Sequence, residues 1–570
     1  MISQNETKAK NNKRLIKTGF FFLLLVAVII GRLAFLVVAR GDEYVAMAQS
    51  SRLKTITVRE YERGDIIDCN GNSFTNNEES CLVAFPQLVS DSAWLIRCFG
   101  GQMADDDEAV TADWRSKLAE NQPFIIKRNL EEWQVAEYNN IIEENDLTGI
   151  FVLNLRPRYL LSDIACHVLG FVGEPDEDDI KELENAGLAK TTAVGKSGIE
   201  YQYNKWLTGK SSQKIGVIAD EKAHQISDNL RLIEGEQTAG MGYDVQLTLN
   251  KDYQRFLDEA MAGKSGGAVL MNVENGDILA VSSAPGYNQY LGHSSAEGSD
   301  YINKAFAYYP PASVFKTVLV LAALEENMEC SNNFYCNGAI TLSGGHRVKC
   351  WKETGHGQEN LETALGNSCN PYFVNLGQQL GGEIIRDYAY NLGLGEQKII
   401  GYNVASLEDN IAFNVGSQAD VANVSIGENG VRLSPLLVAQ LMSAVANGGK
   451  VVTPRLVKGV VAPDGSYVKE FAAAEPRQVA LEKNCETLQQ LLTSAVTTGT
   501  GVPANSSIVQ LAGKTGTSQD AGVWFAGFAP VDNPRYAIAV YDENGESGGS
   551  DAGVVAKAVF EQIAVLEGFR

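Results

Sequence analysis

Residues 508–541 read IVQLAGKTGTSQDAGVWFAGFAPVDNPRYAIAVY, and this stretch decides the fold class of the second half of the chain. Three extended runs, Ile508 to Ala512, Val523 to Ala529 and Arg535 to Tyr541, are separated by turns that contain glycine or proline. This alternation of short runs and turn residues predicts consecutive β-strands. Strands that follow each other this closely pair antiparallel, because a parallel pair needs a long crossover.

Upstream of this stretch, the sequence predicts further strands and helices for the same region. Ala268 to Val273 and Ile278 to Ser282 flank the sequence ENGD, which is a hairpin signal. Ser313 to Glu326 and Leu436 to Asn447 carry apolar residues at helical spacing, and we interpret the second run as a core helix. The prediction is an α+β domain with helices flanking an antiparallel sheet.

A domain boundary is predicted near Glu234 to Tyr243, where glycine and polar residues are combined. Before this segment, short strand-like runs alternate with turn signals and with acidic helices such as Asp176 to Ala186. We therefore assign residues 40–235 to a mixed, β-rich domain and residues 236–570 to the α+β domain.

The N-terminus carries a basic segment followed by an apolar one. Lys8, Lys10, Lys13, Arg14 and Lys17 precede the run FFFLLLVAVIIGRLAFLVV at residues 20–38. This run is close to the ~20 residues that a membrane helix needs, and the basic flank favours an inside N-terminus. We predict a cytoplasmic tail at 1–17, a single helix across the cell membrane at 18–39, and the remainder outside the cytoplasm. The alternatives are a cleaved signal peptide and, for Arg32, either a snorkelling side chain or a contact with another membrane protein.

The net charge disfavours nucleic acid as a ligand, and the spacing of cysteines and histidines disfavours a metal ion. The chain has 47 Lys and Arg against 70 Asp and Glu, a net charge of −23 without a compensating basic stripe. Its nine cysteines all follow the apolar run, in a compartment where disulfides persist, and an odd number leaves at least one unpaired. Neither the cysteine spacing nor the five histidines match a zinc motif, so no metal is predicted. A disulfide between Cys336 and Cys350 is one pairing that the spacing allows.

The first candidate for chemistry is the pair Ser313 and Lys316. It follows two prolines and opens an apolar helix, and a step of three residues puts both side chains on one face of the first turn. A lysine can remove the serine proton if burial or another cation lowers its pKa. The same S-x-x-K spacing also begins at Ser51, Ser211 and Ser466, so the spacing alone is weak evidence.

Two further candidates follow along the chain. Ser368 and Asn370 flank Cys369, so that a hydroxyl and an amide two residues apart could relay a proton and hold a substrate amide. The late sequence Lys514-Thr515-Gly516-Thr517 offers a lysine and two hydroxyls for a carboxylate, with a glycine that lets a ligand backbone approach closely. Cys369 is better interpreted as a small packing residue than as a nucleophile, and His356 either touches substrate or makes a structural hydrogen bond.

In this order, S-x-x-K, S-x-N and K-T-G resemble the signature of the penicillin-recognising serine enzymes. Longer stretches closely resemble a class B penicillin-binding protein, including a pedestal (dimerisation-type) domain upstream. Two positions depart from that family: Ala312 stands where glycine is usual, and GENG at 427–430 replaces a more usual GQG. The stretches that carry the resemblance are YPPASVFK at 309–316, SCNPYF at 368–373, GKTGTSQ at 513–519, WFAGFAP at 524–530, Arg63-Gly64 and GKSGIE at 195–200.

The resemblance implies a serine D,D-transpeptidase that cross-links peptidoglycan stem peptides through an acyl-enzyme on Ser313. Lys316 would accept the serine proton, Ser368 would relay it to the leaving amine, and Asn370 would orient Lys316 and the donor amide. Lys514, Thr515 and Thr517 would hold the terminal carboxylate beside Gly516. The backbone N–H groups of Ser313 and Thr517 would form the oxyanion hole.

The resemblance also implies the partners and leaves alternatives. It implies donor and acceptor stem peptides as substrates, β-lactams as inhibitors, no cofactor, and a multi-span glycosyltransferase of the elongation or division machinery as a partner. A β-lactam-hydrolysing or β-lactam-sensing member of the same superfamily is the alternative. A hydrolase needs neither anchor nor pedestal, and a tail of 17 residues is too short for the cytoplasmic effector of a sensor. Elongation, division and sporulation roles all stay open.

Overall fold

The computed structural model describes most of residues 19–36, 53–86 and 124–209, together with 213–218, 231–234, 242–289, 301–330, 333–404, 413–518 and 521–568. The chain divides into two compact units. The small unit comprises the described parts of Met1–Glu60, Glu78–Leu155 and Ser212–Glu236. The large unit comprises those of Tyr61–Asn77, Arg156–Ser211 and Gln237–Arg570, so it includes two segments from the predicted span 40–235.

The strands among the described residues are between two and seven residues long. In chain order they are β1 Leu53–Arg59, β2 Ile66–Ile67, β3 Glu79–Ala84, β4 Phe124–Lys127, β5 Ile150–Leu155, β6 Val172–Gly173, β7 Val194–Gly195, β8 Gln213–Ile218, β9 Arg231–Glu234, β10 Asp244–Leu247, β11 Gly266–Asn272, β12 Ile278–Ala284, β13 Phe334–Cys336, β14 Ala339–Thr341, β15 Arg347–Lys349, β16 Gly357–Glu359, β17 Lys450–Val451, β18 Val457–Val461, β19 Tyr467–Glu470, β20 Arg477–Gln478, β21 Ala512–Thr517, β22 Val523–Ala529 and β23 Tyr536–Asp542.

The helices of both units are numbered together along the chain. In chain order they are α1 Glu132–Glu144, α2 Cys166–Leu169, α3 Glu177–Asn185, α4 Gly198–Gln202, α5 Asn204–Leu207, α6 Lys251–Met261, α7 Lys316–Glu325, α8 Leu361–Gly366, α9 Asn370–Leu380, α10 Gly382–Asn391, α11 Gln418–Ser425, α12 Pro435–Ala446, α13 Glu482–Thr497 and α14 Val554–Glu567, with 3₁₀ turns at Ala312–Phe315 and Val502–Ala504 and a π-helical turn at Gly548–Gly553.

A five-stranded antiparallel sheet forms the core of the large unit, in the order β12–β11–β23–β22–β21. Successive side chains of a strand point to opposite faces. Phe525 and Val540 therefore enter one apolar cluster, whereas Trp524 and Ala539 enter another. Both faces are covered, which is why every residue of β22 and β23 is buried.

Helices cover the two faces of this sheet. Leu257 of α6 and Phe560 of α14 belong to the cluster on one face. Helix α12 belongs to the cluster on the other face, and all 12 of its residues are buried. The predicted α+β class, with helices flanking an antiparallel sheet, is therefore confirmed, and the interpretation of Leu436 to Asn447 as a core helix is also correct.

A second sheet of the large unit joins sequence-distant segments, in the order β19–β18–β10–β2. Strand β2 pairs parallel with β10, whereas β18 pairs antiparallel with β10 and with β19. In the small unit, β4–β3–β5 and β1–β8–β9 form two antiparallel sheets. Leu82 on β3 and Tyr138 on α1 share its apolar cluster.

One predicted strand is misplaced. Residues 508–511 of the predicted strand do not belong to a β-strand. Strand β21 begins only at Ala512 and continues through the polar sequence GKTGT. The apolar side chains of Val509 and Leu511 pack into the cluster beneath the sheet from an irregular segment. Hydrophobicity therefore predicted burial correctly here, but the edge strand itself consists of small and polar residues.

Residues 23–36 are helical, and their apolar side chains are largely exposed, with 70% of Leu23 and 62% of Ile30 accessible. Among the described residues, no helix combines the length and hydropathy that a membrane span requires. Parts of the predicted span 18–39, including residues 37–39, lie outside the described residues.

Candidate active site

Ser313 lies in the 3₁₀ turn Ala312–Phe315 that leads directly into α7, whose first residue is Lys316. Eight of the ten residues of α7, from Lys316 to Ala323, are buried, so the helix is fixed within the core. The three-residue step brings Lys316 Nζ to 2.9 Å from Ser313 Oγ. The structure thus joins the first predicted pair in a direct hydrogen bond.

Lys316 is fully buried and surrounded by uncharged oxygen atoms. Besides Ser313 Oγ, its ammonium contacts Asn370 Oδ1 at 2.7 Å, the Ser368 carbonyl at 3.0 Å and Ser368 Oγ at 3.2 Å. Burial lowers the pKa of Lys316 to about 7, and it outweighs the electrostatic interactions with Cys369, Cys350 and Glu428, which raise the pKa. A lysine in this state can exchange a proton near neutral pH.

Ser368 and Asn370 lie at the junction between α8 and α9. Ser368 adopts a left-handed backbone conformation with φ of 55°, which is uncommon for a residue other than glycine. Asn370 begins α9, with Pro371 following, and its Nδ2 donates to the Lys349 carbonyl at 3.2 Å. The Asn370 amide therefore connects Lys316 on one side with the β15 segment on the other.

Lys514 lies on the edge strand β21 and is also fully buried. Its ammonium contacts Ser368 Oγ at 3.0 Å and the Thr515 carbonyl at 2.9 Å. The Ser368 hydroxyl therefore lies between the two ammonium groups. Burial first, and then repulsion from Lys316, holds the pKa of Lys514 well below its ordinary value. Of the two causes that the sequence offered for a lowered Lys316 pKa, burial or another cation, burial is the main one, and the repulsion between the two lysines instead lowers the pKa of Lys514.

The remaining residues of the K-T-G segment line the same edge of the sheet. The Thr515 hydroxyl lies 2.6 Å from that of Thr500, and the exposed Thr517 accepts a hydrogen bond from the Gly548 N–H at 3.4 Å. A Cβ at Gly516 would lie 3.1 Å from Trp524 Cβ and 3.2 Å from the Pro311 carbonyl, so glycine permits this close packing.

The two departures from the family pattern meet in space. Ala312 has φ of 48°, in the left-handed region where glycine is favoured. Its N–H donates to the Gly427 carbonyl at 2.8 Å, and a Cβ at Gly427 would lie only 1.9 Å from the Ala312 carbonyl oxygen. The glycine that begins GENG thus makes room for the turn that carries Ser313.

Sequence reasoning missed several groups around this site. Thr500 and Lys349 contribute through a hydroxyl and a carbonyl, for which no motif exists. It also missed a cluster of Cys336, Cys350, His356 and Cys369, whose sulfur and nitrogen atoms all lie within 4.8 Å of one another. These residues come from separate elements, so their spacing resembles no zinc motif. Cys336 and Cys350 are both free thiols in the structure.

Comparison with known proteins identifies two domain families in the chain. Residues 266–564 match the family of the penicillin binding protein transpeptidase domain, and residues 59–247 match the penicillin-binding protein dimerisation domain. The chain is 28% identical to Stage V sporulation protein D of Bacillus subtilis, over 97% of this chain and 84% of that protein. It is 26% identical to peptidoglycan D,D-transpeptidase MrdA of Acinetobacter baumannii, over 97% and 88%.

A solved structure shares the fold over more than half of the chain. Penicillin-binding protein A from M. tuberculosis, determined as an imipenem acyl-enzyme complex, superposes with a TM-score of 0.52 and 26% identity, over 56% of this chain and 80% of that one. The transpeptidase match covers more than half of the chain and contains all three motifs. With a dimerisation domain followed by a transpeptidase domain, the chain belongs to the class B penicillin-binding proteins.

Proposed function

We propose that this protein is a membrane-anchored serine D,D-transpeptidase that cross-links peptidoglycan stem peptides. The observation that carries the proposal is the continuous hydrogen-bonded chain from Ser313 through Lys316 and Ser368 to Lys514. A nucleophile, a base with a pKa near 7 and a hydroxyl relay are the groups that acyl transfer requires.

In the acylation half-reaction, neutral Lys316 accepts the Ser313 proton while Ser313 Oγ attacks the carbonyl carbon between the two terminal D-alanines. The proton passes from Lys316 by way of the Ser368 hydroxyl to the leaving nitrogen. The C–N bond breaks, D-alanine leaves, and an ester joins the donor peptide to Ser313. The backbone N–H groups of Ser313 and Thr517 stabilise the oxyanion, and such donors typically contribute about 3 kcal/mol each.

In the second half-reaction, an amine of a neighbouring stem peptide attacks the ester. Its proton leaves through the same Ser368 and Lys316 groups, and Ser313 Oγ regains a proton as the new amide bond forms. Lys514, Thr515 and Thr517 hold the terminal carboxylate of the donor, and Gly516 leaves room for its backbone. β-lactams acylate Ser313 in place of the donor, and the acyl-enzyme named for the M. tuberculosis structure supports this inhibition.

The anchor belongs to the same proposal. The apolar helix at residues 23–36 and the basic residues before residue 18 support a single membrane helix at 18–39 with a cytoplasmic N-terminus. The domains after it would work outside the cytoplasm, with residues 40–235 as the pedestal and 236–570 as the transpeptidase domain. A multi-span glycosyltransferase that makes the glycan is the proposed partner.

The test is the intact mass of the purified full-length chain during incubation with a penicillin. We expect a stable adduct of one penicillin on the wild type and none on Ser313→Ala. Ser466→Ala is the matched control, because Ser466 begins another S-x-x-K sequence on an exposed turn and should be labelled like the wild type.

Two results would contradict the proposal. An unmodified protein with intact drug would argue against Ser313 as an acylated nucleophile. An unmodified protein with hydrolysed drug would instead favour a β-lactam-hydrolysing enzyme.

A further inference from the structure

The loop that follows α11 begins with Gly427 and Glu428, and its backbone is anchored to the end of that helix. The Gly427 N–H donates to the Val424 carbonyl at 3.0 Å, and the Glu428 N–H donates to the Asn423 carbonyl at 3.0 Å. Gly427 has φ of 75°, in the left-handed region that favours glycine. These contacts fix the point from which the Glu428 side chain extends.

On one side, this loop contacts the turn that carries the proposed nucleophile. The Ala312 N–H donates to the Gly427 carbonyl at 2.8 Å, and Ser313 is the next residue. A Cβ at Gly427 would lie only 1.9 Å from the Ala312 carbonyl oxygen, so the two backbones are in direct contact. A movement of the loop would therefore displace Ser313.

On the other side, the same loop contacts the end of the K-T-G strand. Ser518 follows Thr517, the last residue of β21, and its hydroxyl donates to Glu428 Oε2 at 3.0 Å. Ser518 is only 7% exposed, so its hydroxyl is largely withdrawn from solvent. Strand β21 is the edge of the five-stranded sheet and pairs there with β22. The hydrogen bond to Glu428 gives this edge strand a support that a second neighbouring strand would otherwise provide.

Helix α11 connects the loop with the remaining motif. A Cβ at Gly377 of α9 would lie 1.9 Å from Ser425 Oγ, so α9 and α11 pack closely. Ser425 is the last residue of α11, and Asn370 is the first residue of α9. The loop is therefore linked, directly or through this helix pair, to the segments that carry S-x-x-K, S-x-N and K-T-G.

We propose that Glu428 is a positioning residue for acylation, which holds the end of β21 in place relative to the Ser313 turn by accepting the Ser518 hydrogen bond. Ser313 and Thr517 carry the two backbone N–H groups of the proposed oxyanion hole, and each is adjacent to a residue that the loop contacts. A carboxylate acceptor makes this hydrogen bond stronger than a neutral one would. The inference rests on the proposed function, because it concerns the step in which the oxyanion forms.

Glu428 also acts on the proposed base through its charge. Burial is the main cause of the lowered pKa of Lys316. Three groups act in the opposite direction and raise this pKa: Cys369, Cys350 and Glu428. The nearby cation is Lys514, whose own pKa is lowered by burial and by repulsion from Lys316. A neutral residue in place of Glu428 should therefore lower the pKa of Lys316 further and move the acid limb of the rate profile to lower pH.

The test is the rate of penicillin acylation of the purified full-length chain as a function of pH. Glu428→Ala removes both the hydrogen bond and the charge. We expect its maximal rate to fall about 10–100-fold, because a small misplacement of reacting groups can cost about 10²-fold, and its acid limb to move to lower pH. Ser518→Ala removes only the hydrogen bond, so we expect a similar loss of maximal rate with the acid limb unchanged.

Glu428→Gln is the conservative variant, because its amide oxygen can still accept the Ser518 hydrogen bond. We expect a maximal rate within about threefold of the wild type and an acid limb at lower pH. The double variant of Glu428→Ala and Ser518→Ala should be no slower than the slower single variant, since both changes remove the same contact. Asn429→Ala is the matched control, because Asn429 is the next residue of the loop and is exposed, and it should be acylated like the wild type at every pH.

Two results would overturn the positioning role while the wild type still forms its adduct on Ser313. One is acylation of Glu428→Ala and Ser518→Ala at the wild-type maximal rate. The other is a Glu428→Gln variant as slow as Glu428→Ala, because the acceptor is retained there. If thermal unfolding shows that Glu428→Ala does not fold, Ser518→Ala and Glu428→Gln make the same comparison. A wild-type chain that forms no adduct would instead contradict the proposed function, and this inference with it.

Discussion

Two clusters of buried charged side chains in the large unit are built in opposite ways. In the first, Glu200 is fully buried between Arg63 and Arg158, each with its Nε 2.6 Å from a carboxylate oxygen. In the second, Lys316 and Lys514 share the Ser368 hydroxyl and contact uncharged oxygens. Opposite charges are paired in one cluster, whereas like charges lie close together in the other.

The pKa values show what this difference does. Burial alone raises the pKa of Glu200, but the two arginines and their hydrogen bonds outweigh it and hold the pKa below its ordinary value. Burial lowers the pKa of Lys316 to about 7, and the electrostatic attraction of Cys369, Cys350 and Glu428 does not offset it. The paired cluster therefore keeps its charge at neutral pH, whereas the unpaired cluster is ready to change it. The partners of a buried charged group therefore decide whether the group has a structural or a chemical role.

The strongest test of this comparison removes the proposed base with Lys316→Met. We expect the rate of penicillin acylation to fall about 10²–10⁴-fold, which is the usual contribution of a general base. The thermal midpoint should stay unchanged or rise, because an apolar chain of similar length replaces a buried amine. Stopped-flow acylation and thermal unfolding measure the two effects.

Lys304→Met is the matched control. Lys304 is also buried, but its ammonium pairs with Glu543 at 2.8 Å and with Ser265 at 2.8 Å. Its removal should lower the thermal midpoint and leave the acylation rate of the folded protein unchanged. Acylation of Lys316→Met at the wild-type rate would show that the unpaired lysine has no chemical role.

The second test removes the acid from the paired cluster with Glu200→Gln. Two guanidinium groups would then be buried without a counter-charge, and breaking such a pair typically costs about 3–5 kcal/mol of unfolding free energy. Urea unfolding measures the loss. Tyr159→Phe is a graded control, since it removes only a hydroxyl 3.0 Å from Glu200 Oε1 and should cost about 1 kcal/mol. A Glu200→Gln variant as stable as the wild type would show that the ion pairs do not outweigh their desolvation.

The third test is the pH dependence of acylation, which should separate the two clusters without a mutation. Only neutral Lys316 can accept the serine proton, so the rate should rise about tenfold per pH unit below about pH 7 and then level off. Glu200, whose pKa lies below its ordinary value, stays charged over this range, so its stabilising contribution is present above the ordinary carboxyl pKa and is lost only on further acidification. A rate that keeps rising toward pH 10 would indicate an ordinary lysine and contradict the assignment.

In these clusters, the sequence predicted a contact between residues that are close along the chain, but not the contacts between residues that are far apart. The step from Ser313 to Lys316 is set by one helical turn, so their contact was predictable from spacing alone. The contact between Lys514 and Ser368 joins positions 146 residues apart and depends on where the junction between α8 and α9 lies relative to β21, which no local pattern encodes. Arg63 and Glu200 both lie in stretches that resemble the family, yet nothing in the sequence indicated that the two side chains would meet.

For the fold as well, the sequence predicted some elements well and missed others. The apolar strands β22 and β23 were predicted nearly to their ends, because burial on both faces gives continuous apolar runs. Strand β21 was misplaced, because an edge strand that lines a site carries the polar residues that the site needs. The cysteine cluster was missed for a related reason: its four members come from four elements, and sequence motifs recognise only ligands on one or two.

The smallest effect is expected where an ion pair has the same geometry as the Glu200 pairs but no burial. Lys181 Nζ lies 2.7 Å from Asp178 Oδ1, close to the 2.6 Å of Arg63 and Glu200, but these two side chains are 68% and 92% exposed. Water screens their attraction, and holding two long side chains together costs conformational entropy. Lys181→Gln should therefore leave the urea midpoint unchanged within error, measured beside Glu200→Gln under the same conditions. A loss comparable to that of Glu200→Gln would mean that distance rather than burial sets the strength of these pairs, and the contrast between the two clusters would then need another explanation.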